Sequence, residues 1–387
     1  MSDAFVVFGA PDITDDDIRE VLATLQSGWL GTGPRVAAFE AGFADFKRVD
    51  HGAVAAVNSC TAALHLSLLA AGVGEGDEVI TSPLTFCATA NAILHAGATP
   101  VLVDVDPKTM NIDPAHIEKK ISPRTKALLP VHFAGLPCAM TEINDIAARH
   151  GLRVIEDCAH AVEAMYRGRP TGTLGDFGCF SFYATKNVTT GEGGMVLARD
   201  PEHIGRIKTL ALHGMTRDAW KRFSNDGYQH YQVVECGYKY NMMDLQAAIG
   251  LHQLKRVEAG WARRRAIWQR YQVAFAGLPL TRPSEPASHV RHAYHLYTVL
   301  IDEMQCATSR DVFLARMTAQ GIGVGVHYLA LPEHPYYQQS LGWRADDTPH
   351  ATSIGRQTVS LPLSPRLTDA EVERVINAVA ISLLRSV

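Results

Sequence analysis

One lysine separates an aromatic strand pattern from a glycine-rich turn in Phe180-Ser-Phe-Tyr-Ala-Thr-Lys186-Asn-Val-Thr-Thr-Gly-Glu-Gly-Gly-Met195. A strand end holds a side chain rigidly, and glycines let the backbone crowd a bound group. An amine desolvated in such a pocket loses basicity and becomes available for Schiff-base chemistry. The glycines do not spell G-x-G-x-x-G at a strand-to-helix turn, which speaks against a nicotinamide oxidoreductase. A solvated loop lysine is the ordinary alternative, so the chemistry needs partners elsewhere in the chain.

Val154-Ile-Glu-Asp157-Cys-Ala-His160 is an apolar strand running into two acids and then a histidine. Ligands of α/β sheets sit at the carboxyl ends of strands. An aspartate there can keep a pyridine nitrogen protonated, as pyridoxal 5'-phosphate (PLP) requires to act as an electron sink. Otherwise Asp157 caps the next helix and His160 is structural. Asn58-Ser-Cys60-Thr61 follows a strand pattern and opens a helical one. The free N–H groups and dipole of a helix start favour a phosphate, Thr61 adds a hydroxyl, and Ser181 can add another from the lysine strand. Phe86, in Thr85-Phe86-Cys-Ala-Thr-Ala-Asn91, follows a further strand and can stack on a flat ring. An amine, a carboxylate, a phosphate cradle and an aromatic, each at a strand end or helix start, point jointly to PLP.

Rigid elements must position these groups. Ala53–Val57, Glu78–Thr81, Thr99–Val105, Lys126–His132, Leu152–Glu156, Phe177–Tyr183 and Met195–Ala198 read as strands. Helical patterns cover Cys60–Ala71 and Phe86–Ala96 between them. Alternation of this kind predicts an α/β layer with a mostly parallel, seven-stranded mixed sheet between helices. Thr14 before three aspartates marks one helix start, and Pro114 after Asp113 another. A long helical region covers about Met242 to Ala276. Leu296–Ile301 reads as a strand, Ser309–Gln320 and Thr368–Leu384 as helices, and Pro279–Pro286 as a loop. The 387 residues suit two domains: a large one over 1–260 and a smaller C-terminal α+β domain over 261–387.

A net charge of -4 gives no bulk attraction to nucleic acid or anionic membrane. No apolar run approaches the roughly 20 residues that span a bilayer. Met1-Ser2-Asp3-Ala4 lacks a basic-then-apolar leader pattern, so a cytoplasmic location is expected. Seven cysteines with no C-x-x-C pair suggest reduced thiols and no metal site.

With these motifs assembled, the chain resembles the DegT-type sugar aminotransferases, which are fold-type I PLP enzymes. The resemblance runs over essentially the whole chain, including Ser27-Gly-Trp-Leu-Gly-Thr-Gly-Pro34, Gly76-Asp-Glu-Val-Ile80, Glu156-Asp157-Cys-Ala-His160, the Lys186 segment and Gly237-Tyr-Lys-Tyr-Asn-Met-Met-Asp-Leu-Gln-Ala-Ala248. It implies that Lys186 is the Schiff-base lysine and shuttles the proton, Asp157 pairs with the pyridine nitrogen, and His160 lies by the ring oxygen. It further implies that Cys60, Thr61 and Ser181 bind phosphate and that Phe86 stacks on the ring. Family members are typically homodimers with shared active sites, so Lys239 and Asn241 would reach the phosphate of the partner subunit. Trp29, Gly31, His327 and Tyr328 are expected at the nucleotide-sugar substrate, with L-glutamate as amino donor. Many relatives carry Asn at the place of Lys239 and Arg at that of Asn241. The Gly-Tyr-Lys-Tyr-Asn version here looks like the subgroup acting on a UDP-4-keto-pentose. Lysine at 186, where the family's dehydratases hold histidine, favours transamination. Another ketosugar or an inositol as acceptor, or a PLP-binding regulator without turnover, are the alternatives; the regulator would need a DNA-binding extension that the sequence does not show.

Overall fold

The computed structural model describes residues 4–215 and 231–383. Met1–Asp3 and Leu384, both used in the sequence reading, lie outside them. Seven strands form one sheet in the order Val54–Val57, Gly194–Ala198, Phe177–Ser181, Arg153–Asp157, Thr125–Leu129, Glu78–Thr81 and Thr99–Leu102. Gly194–Ala198 is antiparallel to both neighbours and every other pairing is parallel, so six strands point one way. This is the mixed α/β sheet expected from the alternating pattern.

Helices cover both faces, which is why the strands are apolar throughout instead of alternating. Ala55 and Val57 face helices Cys60–Ala70 and Pro201–Ala211, packing with Leu66, Ile204 and Ile207. Val54 and Ala56, half a pleat away, face helix Pro34–Lys47 and pack with Phe39, Phe43, Phe180 and Phe182. Helix Asp15–Ser27 starts as its sequence predicts: the Thr14 N–H donates to Asp17 Oδ2 at 2.7 Å.

A second apolar cluster surrounds Trp268, Tyr271, Tyr297 and Phe313. It is built from the antiparallel pair Tyr297–Leu300 and Thr358–Leu361 with helices Val257–Ala274, Arg310–Ala319 and Asp369–Leu383. Val6 belongs to the same cluster, its N–H donating to Gly321 O at 2.8 Å. Residue 261 falls inside helix Val257–Ala274, whose first residue packs against the sheet layer and whose later turns carry Trp268.

Three local expectations shift. The helical region from Met242 breaks at Arg256 into Asp244–Lys255 and Val257–Ala274, where the Arg256 guanidinium donates to Asp12 O at 2.7 Å and pairs with Asp17. Pro114 opens only the three-residue turn Pro114–His116, capped by Asp113, which accepts from the Ala115 N–H at 3.0 Å. The helix after Phe86 begins at Ala88, leaving Phe86 on the approach to its first turn. Among the described residues no helix is long and apolar enough to cross a membrane.

Candidate active site

The carboxyl ends of the like-pointing strands, together with the start of Gly194–Ala198, open on one cavity of about 520 Å³. Cys60, Thr61, Phe86, Asp157, His160, Ser181, Lys186, His327 and Tyr328 all line it. Thus nine side chains expected at the site come from segments spread over most of the chain to a single sheet edge.

Lys186 lies on the turn after Phe177–Ser181, its N–H donating to Tyr183 O at 2.9 Å. Its amine has no hydrogen-bond partner among the described residues. Burial lowers its pKa to about 8, against the opposing influence of Cys60 and Asp157. Asp157, the last residue of its strand, is buried. Its Oδ1 accepts from the Ala159 N–H at 3.1 Å and its Oδ2 from Thr89 Oγ1 at 2.9 Å. Since the Thr89 hydrogen is committed to Asp157, Thr85 Oγ1, 2.8 Å away, donates to Thr89. Burial raises the Asp157 pKa, opposed by these hydrogen bonds and by the Lys186 charge.

Helix Cys60–Ala70 aims its start at the cavity. Ser59 is the cap: its Oγ accepts from the Ala62 N–H at 3.1 Å, leaving the Cys60 and Thr61 N–H groups for a ligand. Gly194 permits this approach, because a Cβ there would lie 2.5 Å from the Ser59 carbonyl carbon. Gly193 is equally constrained, since a Cβ on it would come within 2.2 Å of Thr190 Oγ1. The glycine run after the lysine therefore brings strand and helix start together. These donors suit a phosphate, Asp157 suits a protonated ring nitrogen, and Lys186 supplies an unengaged amine, so the residues present fit PLP.

His160 has a fixed tautomer. Its Nδ1 accepts from the Ala134 N–H at 3.2 Å, so the ring hydrogen resides on Nε2 and is donated to Tyr328 Oη at 3.0 Å. Burial, then the Lys186 charge, holds its pKa well below the ordinary histidine value, keeping the ring neutral. Tyr328 accepts that hydrogen and keeps its own hydrogen for another partner. Phe86 is 58% exposed on the cavity wall, with its ring centroid 6.0 Å from that of Tyr328. His327 Nδ1 lies 2.9 Å from Ser360 Oγ.

Four expected residues do not line this cavity within their own chain. Trp29 is exposed and donates from Nε1 to Thr32 O at 3.1 Å, while the Gly31 carbonyl accepts from the Asp244 N–H at 2.9 Å. Lys239 Nζ donates to Asn241 Oδ1 at 2.7 Å, and Asn241 Nδ2 donates to Thr32 Oγ1 at 2.6 Å. Hydrogen bonds made by these loops hold all four outside the cavity of their own chain. The second acid of the strand, Glu156, also turns away. It accepts from the Gly172, Leu174 and Gly175 N–H groups and from His132 Nε2 at 2.7–2.9 Å.

Sequence reasoning missed Thr89, Asn187 and His295. Thr89 stands in the quoted Phe86 segment and Asn187 adjoins the lysine, but each acquires its importance through a tertiary partner. Gly135 makes the approach of His295 possible: with φ +95°, its absent Cβ would sit 2.8 Å from His160 O and 2.9 Å from Ala293 Cβ.

Residues 11–380 match the family described as the DegT/DnrJ/EryC1/StrS aminotransferase family. The chain is 48% identical over 376 residues to the spore coat polysaccharide biosynthesis protein SpsC of Bacillus subtilis (strain 168), covering 97% of this chain and 96% of the relative. Among solved structures it is similar to the aminotransferase TlmJ of Streptoalloteichus hindustanus, at 36% identity, TM-score 0.89 and 98% coverage of both chains. It is also similar to Spr1654 of Streptococcus pneumoniae in its PLP-form, provisionally a sugar aminotransferase, at 32% identity and TM-score 0.91, covering 98% of this chain and 100% of that one.

Proposed function

The chain belongs to the DegT/DnrJ/EryC1/StrS aminotransferase family and uses PLP, and from that premise we propose that it moves an amino group from L-glutamate to a nucleotide-linked keto sugar. The observation that carries this reading is an amine, Lys186, without a hydrogen-bond partner among the described residues, sharing a cavity with the buried Asp157 and an open helix start. Bound there, PLP supplies an aldehyde to bond amines and a ring that delocalises negative charge from the reacting carbon.

The chain's own residues do the rest. Lys186, with a pKa of about 8, holds an appreciable fraction of free amine near neutrality. With PLP in place it would take the proton from the donor's α-carbon and deliver it to the cofactor's former aldehyde carbon, on the other side of the shared nitrogen, a role worth about 10²–10⁴-fold. Asp157 holds a proton at the ring nitrogen, itself steadied by Thr89 and the Ala159 N–H. The Cys60 and Thr61 N–H groups, Thr61 Oγ1 and Ser181 Oγ bind phosphate, His160 lies by the ring oxygen, and Phe86 covers the ring. His327 and Tyr328 face the sugar.

The protein works as a homodimer on this reading. Ile18, Leu22, Leu25, Trp29 and Leu30 are large exposed apolar side chains close together in sequence, a surface suited to a second copy. Lys239 and Asn241, outside their own cavity, would reach the partner's phosphate, with Trp29 and Gly31 beside its substrate. All seven cysteines are free, which suits a reducing cytoplasm. The Gly-Tyr-Lys-Tyr-Asn run favours a UDP-4-keto-pentose as acceptor, and the likeness to SpsC favours a polysaccharide precursor as product.

The test is to incubate the PLP-loaded protein and L-glutamate with a panel of nucleotide keto sugars, and to identify products by mass and NMR. An aminated UDP-sugar with equimolar 2-oxoglutarate is expected. Consumption of glutamate without any aminated nucleotide sugar would refute the acceptor class.

A further inference from the structure

His295 lines the same cavity, yet none of the assigned roles uses it. Its ring lies against that of His160, with centroids 4.4 Å apart. Its Nδ1 is 2.9 Å from Asn187 Oδ1. The orientation of that amide is forced, because Asn187 Nδ2 donates to Ala293 O at 3.1 Å, a carbonyl that can only accept, and also reaches Glu163 Oε2 at 2.9 Å. Glu163 Oε1 in turn accepts from the buried guanidinium of Arg264. Oδ1 therefore faces the histidine, and the ring hydrogen must be on Nδ1. Nε2 is left with a bare lone pair, and it has no protein partner among the described residues. The two adjacent histidines, their rings tilted by 37°, are thus opposite tautomers: His160 gives a hydrogen from Nε2, and His295 offers a lone pair there.

We propose that His295 Nε2 is a specificity-determining acceptor, taking a hydrogen bond from a hydroxyl beside the reacting carbon of the keto-sugar substrate. The proposal rests on the aminotransferase reading above for the identity of that substrate. The amino donor carries no hydroxyl, whereas a sugar carries hydroxyls next to its ketone. His295 lines the cavity together with Lys186 and lies against His160, so a group that meets Nε2 enters the space that holds the reacting amine. A lone pair rewards a hydroxyl there and leaves a bare C–H unrewarded.

Two measurements test this. Histidine-specific ¹⁵N NMR of the wild-type protein, with the His295 signal assigned by its loss in His295→Leu, should show a hydrogen on Nδ1 and none on Nε2. A hydrogen on Nε2 overturns the proposal whatever the protein catalyses. Second, rates are compared for a keto sugar and its analogue deoxygenated next to the ketone. The wild type should prefer the hydroxylated acceptor by about tenfold in kcat/KM, and His295→Leu should abolish that preference while the half-reaction with glutamate stays within about threefold. An undiminished preference in the variant overturns the proposal. Wild-type protein inert toward glutamate would instead sink the aminotransferase reading, which the tautomer measurement does not depend on.

Discussion

Lys186 and Asp157 form a pair whose pKa values burial moves in opposite directions: the amine falls to about 8 and the carboxyl rises. Burial disfavours whichever form is charged, so each shift follows from the same cause. For the lysine, the neutral nucleophilic fraction grows as pH rises through the folded value. The rate at which cofactor-free protein is trapped by PLP and borohydride should therefore climb through about pH 8 and level above it; a midpoint near the ordinary lysine value of 10.5 would mean the amine is solvated. Lys186→Ala should lose both the visible band of lysine-bound PLP and measurable turnover. Asp157→Asn keeps the side chain's size but removes the charge that holds a ring proton. It should lower kcat at least about tenfold with little change in KM, and a pure KM effect would contradict the assignment. Both residues were legible because Asp157 ends a strand pattern and Lys186 follows one closely, each an unusual polar group there. Their supports were not. Thr89 reaches Asp157 across 68 residues and Asn187 reaches His295 across 108, and no local periodicity encodes such pairings.

Strands and helices were legible wherever burial imposes a period. Glu78–Thr81 matches its reading to the residue, and the other strands of the large sheet agree within a few, because chains buried on both faces must be apolar throughout. What the pattern could not show was how elements touch. The break at Arg256 depends on partners near residue 12, and Thr358–Leu361 had no signal strong enough to be read as a strand before its pairing with Tyr297–Leu300 was seen. Glycine carries much of this hidden information. The Gly193-Gly194 pair read as the end of a glycine-rich turn, yet Gly194 is the first residue of a fully buried strand and its function is contact with a helix start. A methyl group there would strike the Ser59 carbonyl, pushing the start of helix Cys60–Ala70 out of the cavity. Gly194→Ala should weaken PLP binding by at least about tenfold, measured by fluorescence titration. Gly135→Ala should cost about 1–3 kcal/mol of unfolding free energy, read by urea denaturation, since it adds a clash at a left-handed backbone position.

Four residues expected at the site lie on the surface of a chain whose cavity is otherwise complete in amine, carboxylate and phosphate donors. Lys239 is the telling one. The residue is exposed and, among the described residues, its ammonium is held by Asn241 alone, a weak use of a full charge if nothing else approaches it. Placed against a partner's cavity, the same ammonium would meet a phosphate, where a charge-assisted hydrogen bond is worth more. In a two-fold dimer each site would then draw Lys186 from one subunit and Lys239 from the other, a requirement that mixing can detect. Lys186→Ala subunits lack the amine, and Lys239→Ala subunits lack the phosphate contact. In a mixed dimer one site carries both defects and the other carries neither. Random reassembly of equal amounts makes about half of the dimers mixed, each with one intact site, so activity should return to about a quarter of the wild-type level. If the two lysines served the same subunit, every site in every mixture would carry one defect or the other, and the mixture would do no better than the average of its two parents. The experiment has force only if Lys239→Ala alone is well below a quarter of wild-type activity at limiting PLP, which the same assay measures first; a variant with full activity and full PLP affinity would already remove Lys239 from the partner's site.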